Sequence, residues 1–201
     1  MQIIGTSTSP FTRKVRVVAL EKDIPHEFVT SSPMIDSAEV QAANPLGKVP
    51  VLVRDDGSRL VDSPLIAAWL DSLNDTPRLL PREGHAREVV RQLEAIADGV
   101  LDAAVLVRME MLRPEHLRSA EWISWQEGKV HRGLAHLDKV ARAQRFLVGE
   151  AMTLADVALA CGLAWLEFRF AERDWRAHYP AAARLAAGLL ARPSFGATPM
   201  T

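Results

Sequence analysis

Between Asn74 and Gly84 the chain reads NDTPRLLPREG, a polar stretch with two prolines and a glycine, and the spacing of apolar residues changes character across it. Upstream, short strand-like runs alternate with helical ones. Gln2 to Gly5 is a brief apolar run closed by glycine, and Thr12 to Lys22 carries Val15, Val18 and Ala19 at helical spacing. His26 to Thr30 has strand composition after Pro25, and Val51 to Val53 and Arg59 to Val61 flank Asp55-Asp56-Gly57. That tripeptide predicts a hairpin, because glycine supplies the positive φ a tight turn demands. Pro64 to Leu73 predicts a helix with Ser63 as its N-cap. The order is β-α-β, a loop, then a hairpin and a helix, which describes a small mixed sheet faced by helices.

Downstream the periods are all helical. Val89, Leu93, Ile96, Val100 and Ala104 form one stripe, and Ile123, Val130, Leu134, Leu137 and Ala141 a second. Leu154, Val157, Ala158, Cys161, Trp165 and Phe168 form a third, and Ala181 to Leu190 follows Pro180, a favoured first helical residue. The expected organisation is therefore an α/β domain over residues 1–75, a linker over 76–84 and an all-α domain over 85–201.

Composition narrows the function classes. The 201 residues are 48% hydrophobic, enough for a core, and the formal net charge is −1. Nineteen of the 24 basic residues are arginine, but they are scattered, so a nucleic-acid partner is not expected. The longest apolar run, Val157 to Leu166, is far short of the roughly 20 residues a membrane span needs. MQIIGTST has no basic segment leading an apolar one, so no signal peptide is expected. A single cysteine, Cys161, fits a reducing compartment, and its place on an apolar stripe makes it a core residue. A cytoplasmic protein without a membrane partner is the expectation. The six histidines show no metal-ligand spacing, so no metal is expected either.

Three short motifs carry possible chemistry. Thr8-Ser9-Pro10-Phe11-Thr12-Arg13-Lys14 joins the first strand to the first helix. A hydroxyl there sits beside unpaired backbone N–H groups and the positive end of the helix dipole, a place suited to an anion such as a thiolate. Asn44-Pro45-Leu46-Gly47-Lys48-Val49-Pro50 runs into the third strand, and a cis bond at Val49-Pro50 would expose neighbouring backbone groups to a ligand. Asp62-Ser63 precedes a helix, where Ser63 and first-turn amides could grip a carboxylate while Asp62 meets an ammonium. Taken alone, the first and third read more simply as ordinary helix caps, and the second proves nothing by itself. Thr153-Leu154-Ala155-Asp156 has the spacing of a capping box, with Met152 and Val157 as its hydrophobic staple, and is a folding element.

In combination the sequence resembles the glutathione S-transferase superfamily over essentially its whole length, and within it the Ser/Cys-type, zeta-, theta- and omega-like classes. The motifs concerned are SPFTRK, NPLGKVPVL, DSPLIAAWL and the TLAD box. The resemblance implies a thioredoxin-like N-terminal domain that holds glutathione, and a helical-bundle C-terminal domain that shapes a second-substrate site. It implies Ser9 as the catalytic hydroxyl, with Thr8 as the alternative in so short a turn. Glutathione would be held by Ser9, Val49, Pro50, Asp62 and Ser63, with Lys48 adding charge. Phe11, Arg108, Met109, Met111 and Leu112 would border the electrophile. It also implies a homodimer and a detoxification role, with glutathione as co-substrate. The activity expected is conjugation or glutathione-dependent isomerisation of a small hydrophobic electrophile. The alternative is a glutathione-binding or regulatory member without useful activity. With Ser9 and Thr12 where thiol-type members carry cysteine, a mixed disulfide through this motif is not expected.

Overall fold

The computed structural model describes residues 1–32 and 37–201, which divide into two compact units, Met1–Arg82 together with Leu190–Thr201, and Glu83–Leu189. The first unit is built on four strands: β1 (Gln2–Gly5), β2 (Glu27–Thr30), β3 (Val51–Val53) and β4 (Arg59–Leu60), in the spatial order β2-β1-β3-β4. β1 and β2 run parallel, as strands joined through a helix do, while β3 is antiparallel to both β1 and β4. The β3–β4 turn is the predicted one. Arg54 N–H donates to Ser58 C=O at 2.9 Å, and Gly57 takes φ +80°. Three helices accompany the sheet: α1 (Pro10–Glu21), α2 (Ala38–Ala43) and α3 (Ser63–Ser72). α2 stands where the sequence predicts a loop. Six residues give no readable period, and the helix is started by Ser37, whose Oγ accepts from Val40 N–H at 3.3 Å. Ile3, Val15, Val18, Ala19, Leu52, Ile66 and Leu70 make the core, so the predicted apolar face of the first helix is the one that packs.

The polar segment after α3 is pinned rather than loose. Lys22 Nζ is buried, with Asp71 Oδ1 at 3.0 Å, and donates to the carbonyls of Asn74 (2.8 Å) and Pro77 (2.6 Å). Asp71 accepts in turn from the N–H groups of Leu79 (2.8 Å) and Leu80 (3.1 Å), and both leucines are buried. The last residues of the chain also belong to this unit. Arg192 and Ser194 donate to Glu21 at the end of α1, and Ser7 Oγ donates to Thr201 C=O at 2.7 Å. Residues 190–201 thus cluster with the first unit, where helical patterning alone had grouped them with the second.

The second unit is helical: α4 (Gly84–Met111), a 3₁₀ turn at Glu115–Leu117, α5 (Ala120–Ala141), α6 (Leu154–Arg169), α7 (Trp175–His178) and α8 (Pro180–Leu190), whose last residue falls in the first unit. A short α9 (Pro193–Gly196) lies in the C-terminal segment. α6 is buried on nearly every side from Leu154 to Leu166, so its stripe had no unique phase; Phe168, predicted on that stripe, is 43% exposed. Thr153 and Asp156 form the expected capping box, and Met152 and Val157 are both buried beside it. The Asp156 carboxylate accepts from Thr153 N–H (2.8 Å), Thr153 Oγ1–H (2.7 Å) and Leu147 N–H (2.7 Å). Burial nevertheless raises its pKa above the ordinary aspartate value, against those hydrogen bonds. Cys161 is wholly buried on α6. Among the described residues no helix is long and apolar enough to cross a membrane.

Candidate active site

The β1–α1 turn is set by a close approach. A Cβ on Gly5 would fall 2.5 Å from Thr12 Cγ2, so only glycine lets the first turn of α1 sit against the end of β1. Ser9 then occupies the N-cap (φ −83°, ψ 122°), and its Oγ accepts from Thr12 N–H at 3.2 Å. That bond uses a lone pair and leaves the hydroxyl proton to donate elsewhere. Thr8 Oγ1 donates instead within the turn, to Thr6 Oγ1 at 3.4 Å. No carboxylate stands in the first turn of α1, so nothing there opposes the positive end of its dipole. Pro10 fills the opening of the helix, and Phe11 beside it is half-buried. Arg13 on the same turn is buried, donates to Phe195 C=O at 3.3 Å and lies 5.5 Å over the Phe195 ring. Burial first, and the Arg13 charge second, lower the pKa of Arg16 one turn on.

The approach to β3 is organised by Asn44, which sequence reasoning quoted but gave no role. Its Oδ1 accepts from Leu46 N–H (3.0 Å), its Nδ2 donates to Lys48 C=O (2.9 Å), and its own C=O accepts from Gly47 N–H (2.8 Å). Gly47, at φ +62°, completes the reversal. The Asn-Pro-x-Gly spacing is the signal that could have revealed it. The Val49–Pro50 bond is cis, and among the described residues nothing hydrogen-bonds the backbone of Val49. Pro50 is buried, Val49 half-buried and Lys48 exposed.

The third motif carries a correction. Ser63 is not the cap of α3 but its first residue; Asp62 caps, its Oδ1 accepting from Ser63 N–H at 2.6 Å. The helical ladder begins one residue early, because Asp62 C=O already accepts from Ile66 N–H at 2.9 Å. Ser63 is consequently buried, and among the described residues its Oγ has no hydrogen-bond partner, while Asp62 stays exposed.

Sheet register brings the three motifs to one end. Ile4 pairs with Val51, so the antiparallel register places Pro50 beside Gly5 and Val49 beside Thr6. Leu52 pairs with Leu60, which carries Asp62 to the level of Pro50. The end of β1, the start of β3 and the end of β4 therefore share one edge of the sheet. They bring to it a hydroxyl with a free proton, an unpaired stretch of backbone before a cis proline and a hydroxyl that is buried and unpaired among the described residues. In the helical unit, Arg108, Met109, Met111 and Leu112 fall in the last turns of α4 and its C-cap; Arg108 and Met111 are half-buried, and Met109 and Leu112 are exposed.

Residues 3–78 match the glutathione S-transferase N-terminal domain, and residues 82–187 match the glutathione S-transferase C-terminal domain. The chain belongs to the glutathione S-transferase family. Its fold is that family's: a thioredoxin-like unit with a four-stranded sheet, followed by a helical one. YibF of Escherichia coli K12, an uncharacterized GST-like protein, is 36% identical over 198 residues, 98% of each chain. A glutathione S-transferase of Methylobacillus flagellatus, solved with glutathione bound, is 40% identical with a TM-score of 0.95, covering 100% of this chain and 99% of that one. A glutathione transferase family member of Pseudomonas fluorescens, solved with S-(propanoic acid)-glutathione, is 33% identical with a TM-score of 0.86, covering 100% and 97%.

Proposed function

We propose that this chain is a glutathione transferase in which Ser9 ionises the thiol of glutathione for attack on a small electrophile. The observation that supports it best is the convergence at one sheet edge of the Ser9 hydroxyl, the unbonded Val49 backbone and the orphaned Ser63 Oγ. The unbonded backbone of Val49 would pair with the cysteinyl part of the tripeptide as one strand pairs with another. Ser63, with the free oxygen of Asp62 beside it, would receive the γ-glutamyl end, and Lys48 would add favourable charge. The glutathione-bound Methylobacillus relative and the thioether-bound Pseudomonas relative support both the ligand and the course of reaction.

The energetics are sufficient without a metal or a general base. A cysteine thiol has a pKa near 8.5, and lowering it by about two units takes about 2.7 kcal/mol. A hydroxyl donating to a charged group contributes about 1.5–3 kcal/mol, and an unopposed helix N-terminus about 0.3–1 kcal/mol. Ser9 is already polarised by the Thr12 N–H it accepts, which strengthens its own O–H as a donor. The thiolate then attacks an electrophilic carbon. A C–S bond forms, and the electron pair leaves with a displaced group or is protonated from solvent.

Ser9→Ala tests this. The expected result is near-normal retention on immobilised glutathione, a thiolate absorbance titration shifted upward by about one to two units, and loss of about 10–100-fold in turnover. Thr8→Val should leave all three unchanged. An unshifted titration in Ser9→Ala, or loss confined to Thr8→Val, refutes the assignment. We also propose that the protein works as a homodimer; residues 1–77 carry net charge −3 and residues 78–201 carry +2, a complementarity that would favour packing between subunits.

A further inference from the structure

Scattered along the sequence, the arginines are not all scattered in the fold. Asp138, in the last turn of α5, accepts from the first N–H groups of α8, those of Ala181 (2.8 Å) and Ala182 (3.0 Å). Arg184, about one turn along α8, donates in the other direction, to Ala141 C=O at the end of α5 (2.8 Å). Each helix thus caps the other, and the Arg184 guanidinium is fixed beside the residues that follow α5. Two of those are Arg142 and Arg145. All three arginines line one cavity of about 520 Å³, together with Gly188 on α8. Every lining residue belongs to the helical unit.

The charge around this cavity is poorly balanced. Among the described residues no carboxylate lines it. Asp138 Oδ2 is 3.8 Å from Arg142 Nε, too far for a hydrogen bond, and Oδ1 is committed to α8. Arg145 lies 5.3 Å over the ring of Phe146. Among the described residues neither Arg145 nor Arg184 forms an ion pair. Arg184 spends one Nη on backbone carbonyls, which leaves the rest of its fork to donate. The last carbonyls of α5 offset only part of this positive charge. At Gly188 an added Cβ would meet nothing within 4 Å, so that wall gives onto open space.

We infer that this cavity is a receptor for linked phosphates, the di- or triphosphate group of a small molecule. Guanidinium forks pair bidentately with phosphate oxygens. Here the forks arrive from two separate elements, α8 and the segment after α5. A chain of tetrahedral phosphates presents oxygens in all those directions, whereas a single carboxylate presents them in one plane. The phosphates have two sources, a free inorganic polyphosphate or the tail of a nucleotide. The site is independent of the transferase reading.

The test is calorimetric titration of the full chain with inorganic triphosphate in metal-free buffer. Triphosphate should bind wild type, weaken with added salt, and bind about tenfold or more weakly to R142Q and to R145Q. R142K/R145K keeps both charges but loses both forks, and should fall between wild type and those variants. G188E sets a carboxylate in the cavity and replaces a helical glycine with a better helix former, so it should fold and bind about tenfold or more weakly. G188A should bind as wild type does. Inorganic phosphate, too small to meet three forks at once, should bind about tenfold or more weakly than triphosphate. ATP separates the sources: it outbinds triphosphate if the ligand is a nucleotide, and binds no better if the ligand is a free polyphosphate. The inference is overturned if wild type does not bind triphosphate, if R142Q, R145Q and G188E bind it equally well, or if R142K/R145K matches wild type. Inorganic phosphate binding as tightly as triphosphate overturns it as well. Failure of the Ser9 reading would show separately, as lost glutathione retention or an unshifted thiol with the triphosphate results intact.

Discussion

Asp71 and Lys22 make the sharpest stability prediction, because five interactions meet on one buried carboxylate and one buried ammonium. In Asp71→Ala, Lys22 loses the oxygen at 3.0 Å and keeps only the carbonyls of Asn74 and Pro77, while the N–H groups of Leu79 and Leu80 lose their acceptors. Each buried N–H left unpaired costs about 1–3 kcal/mol, and breaking a buried ion pair costs about 3–5 kcal/mol in total. The two figures overlap, so the expected loss is about 3–5 kcal/mol, measured as a fall in the urea midpoint without change in slope. Lys22→Met strands the opposite charge but leaves Asp71 its two backbone donors, so it should cost less, about 2–4 kcal/mol. The double variant Lys22→Met/Asp71→Leu buries no charge and should fall well short of the sum of the singles. Hydrogen exchange gives an independent reading, since the Leu79 and Leu80 amides should lose protection in Asp71→Ala ahead of the core of the sheet. A cost below about 1 kcal/mol, or a double variant as unstable as the sum, would show that the pair does not hold the 74–80 segment.

Two further outcomes follow from packing and from burial. Gly5→Ala forces a methyl into Thr12 and should cost about 1–3 kcal/mol and displace the Ser9 turn; adding Thr12→Ala, which removes both clashing atoms and an Oγ1 that has no partner, should restore most of the loss in a thermal melt. Asp156 has a folded pKa above its unfolded one because it is buried, so the stability it confers is fully present below the unfolded value and is lost as pH rises through the folded value. The gap in urea midpoint between wild type and Asp156→Asn should therefore widen as pH falls from neutral through the carboxylate range, and a gap that narrows instead would reverse the assigned sign.

What the sequence disclosed and what it concealed follow one division. Features decided by a residue and its neighbours were legible. Val, Ile and Leu runs marked β1 and β3, Asp-Gly marked the hairpin, and helical spacing from Thr12 marked α1, which begins two residues earlier at Pro10. Where two neighbours compete for one local role, the reading slipped by one position. Asp62 and Ser63 are both good caps and Pro64 is accepted at either of the first two helical positions, so only the Ile66–Asp62 backbone bond decides between them. The slip has a chemical consequence. A capping serine would spend its Oγ on its own helix, whereas Ser63 inside the first turn leaves that oxygen buried and unpaired. Such an atom costs the free protein about 1–3 kcal/mol unless something meets it. Long-range partners were invisible for a different reason. Nothing near Lys22 in the chain points to Asp71, and nothing near Ser7 or Arg13 points to Thr201 or Phe195. On the proposed function, the groups that would meet the tripeptide are written into short motifs, because backbone geometry at one end of the sheet must be specified locally.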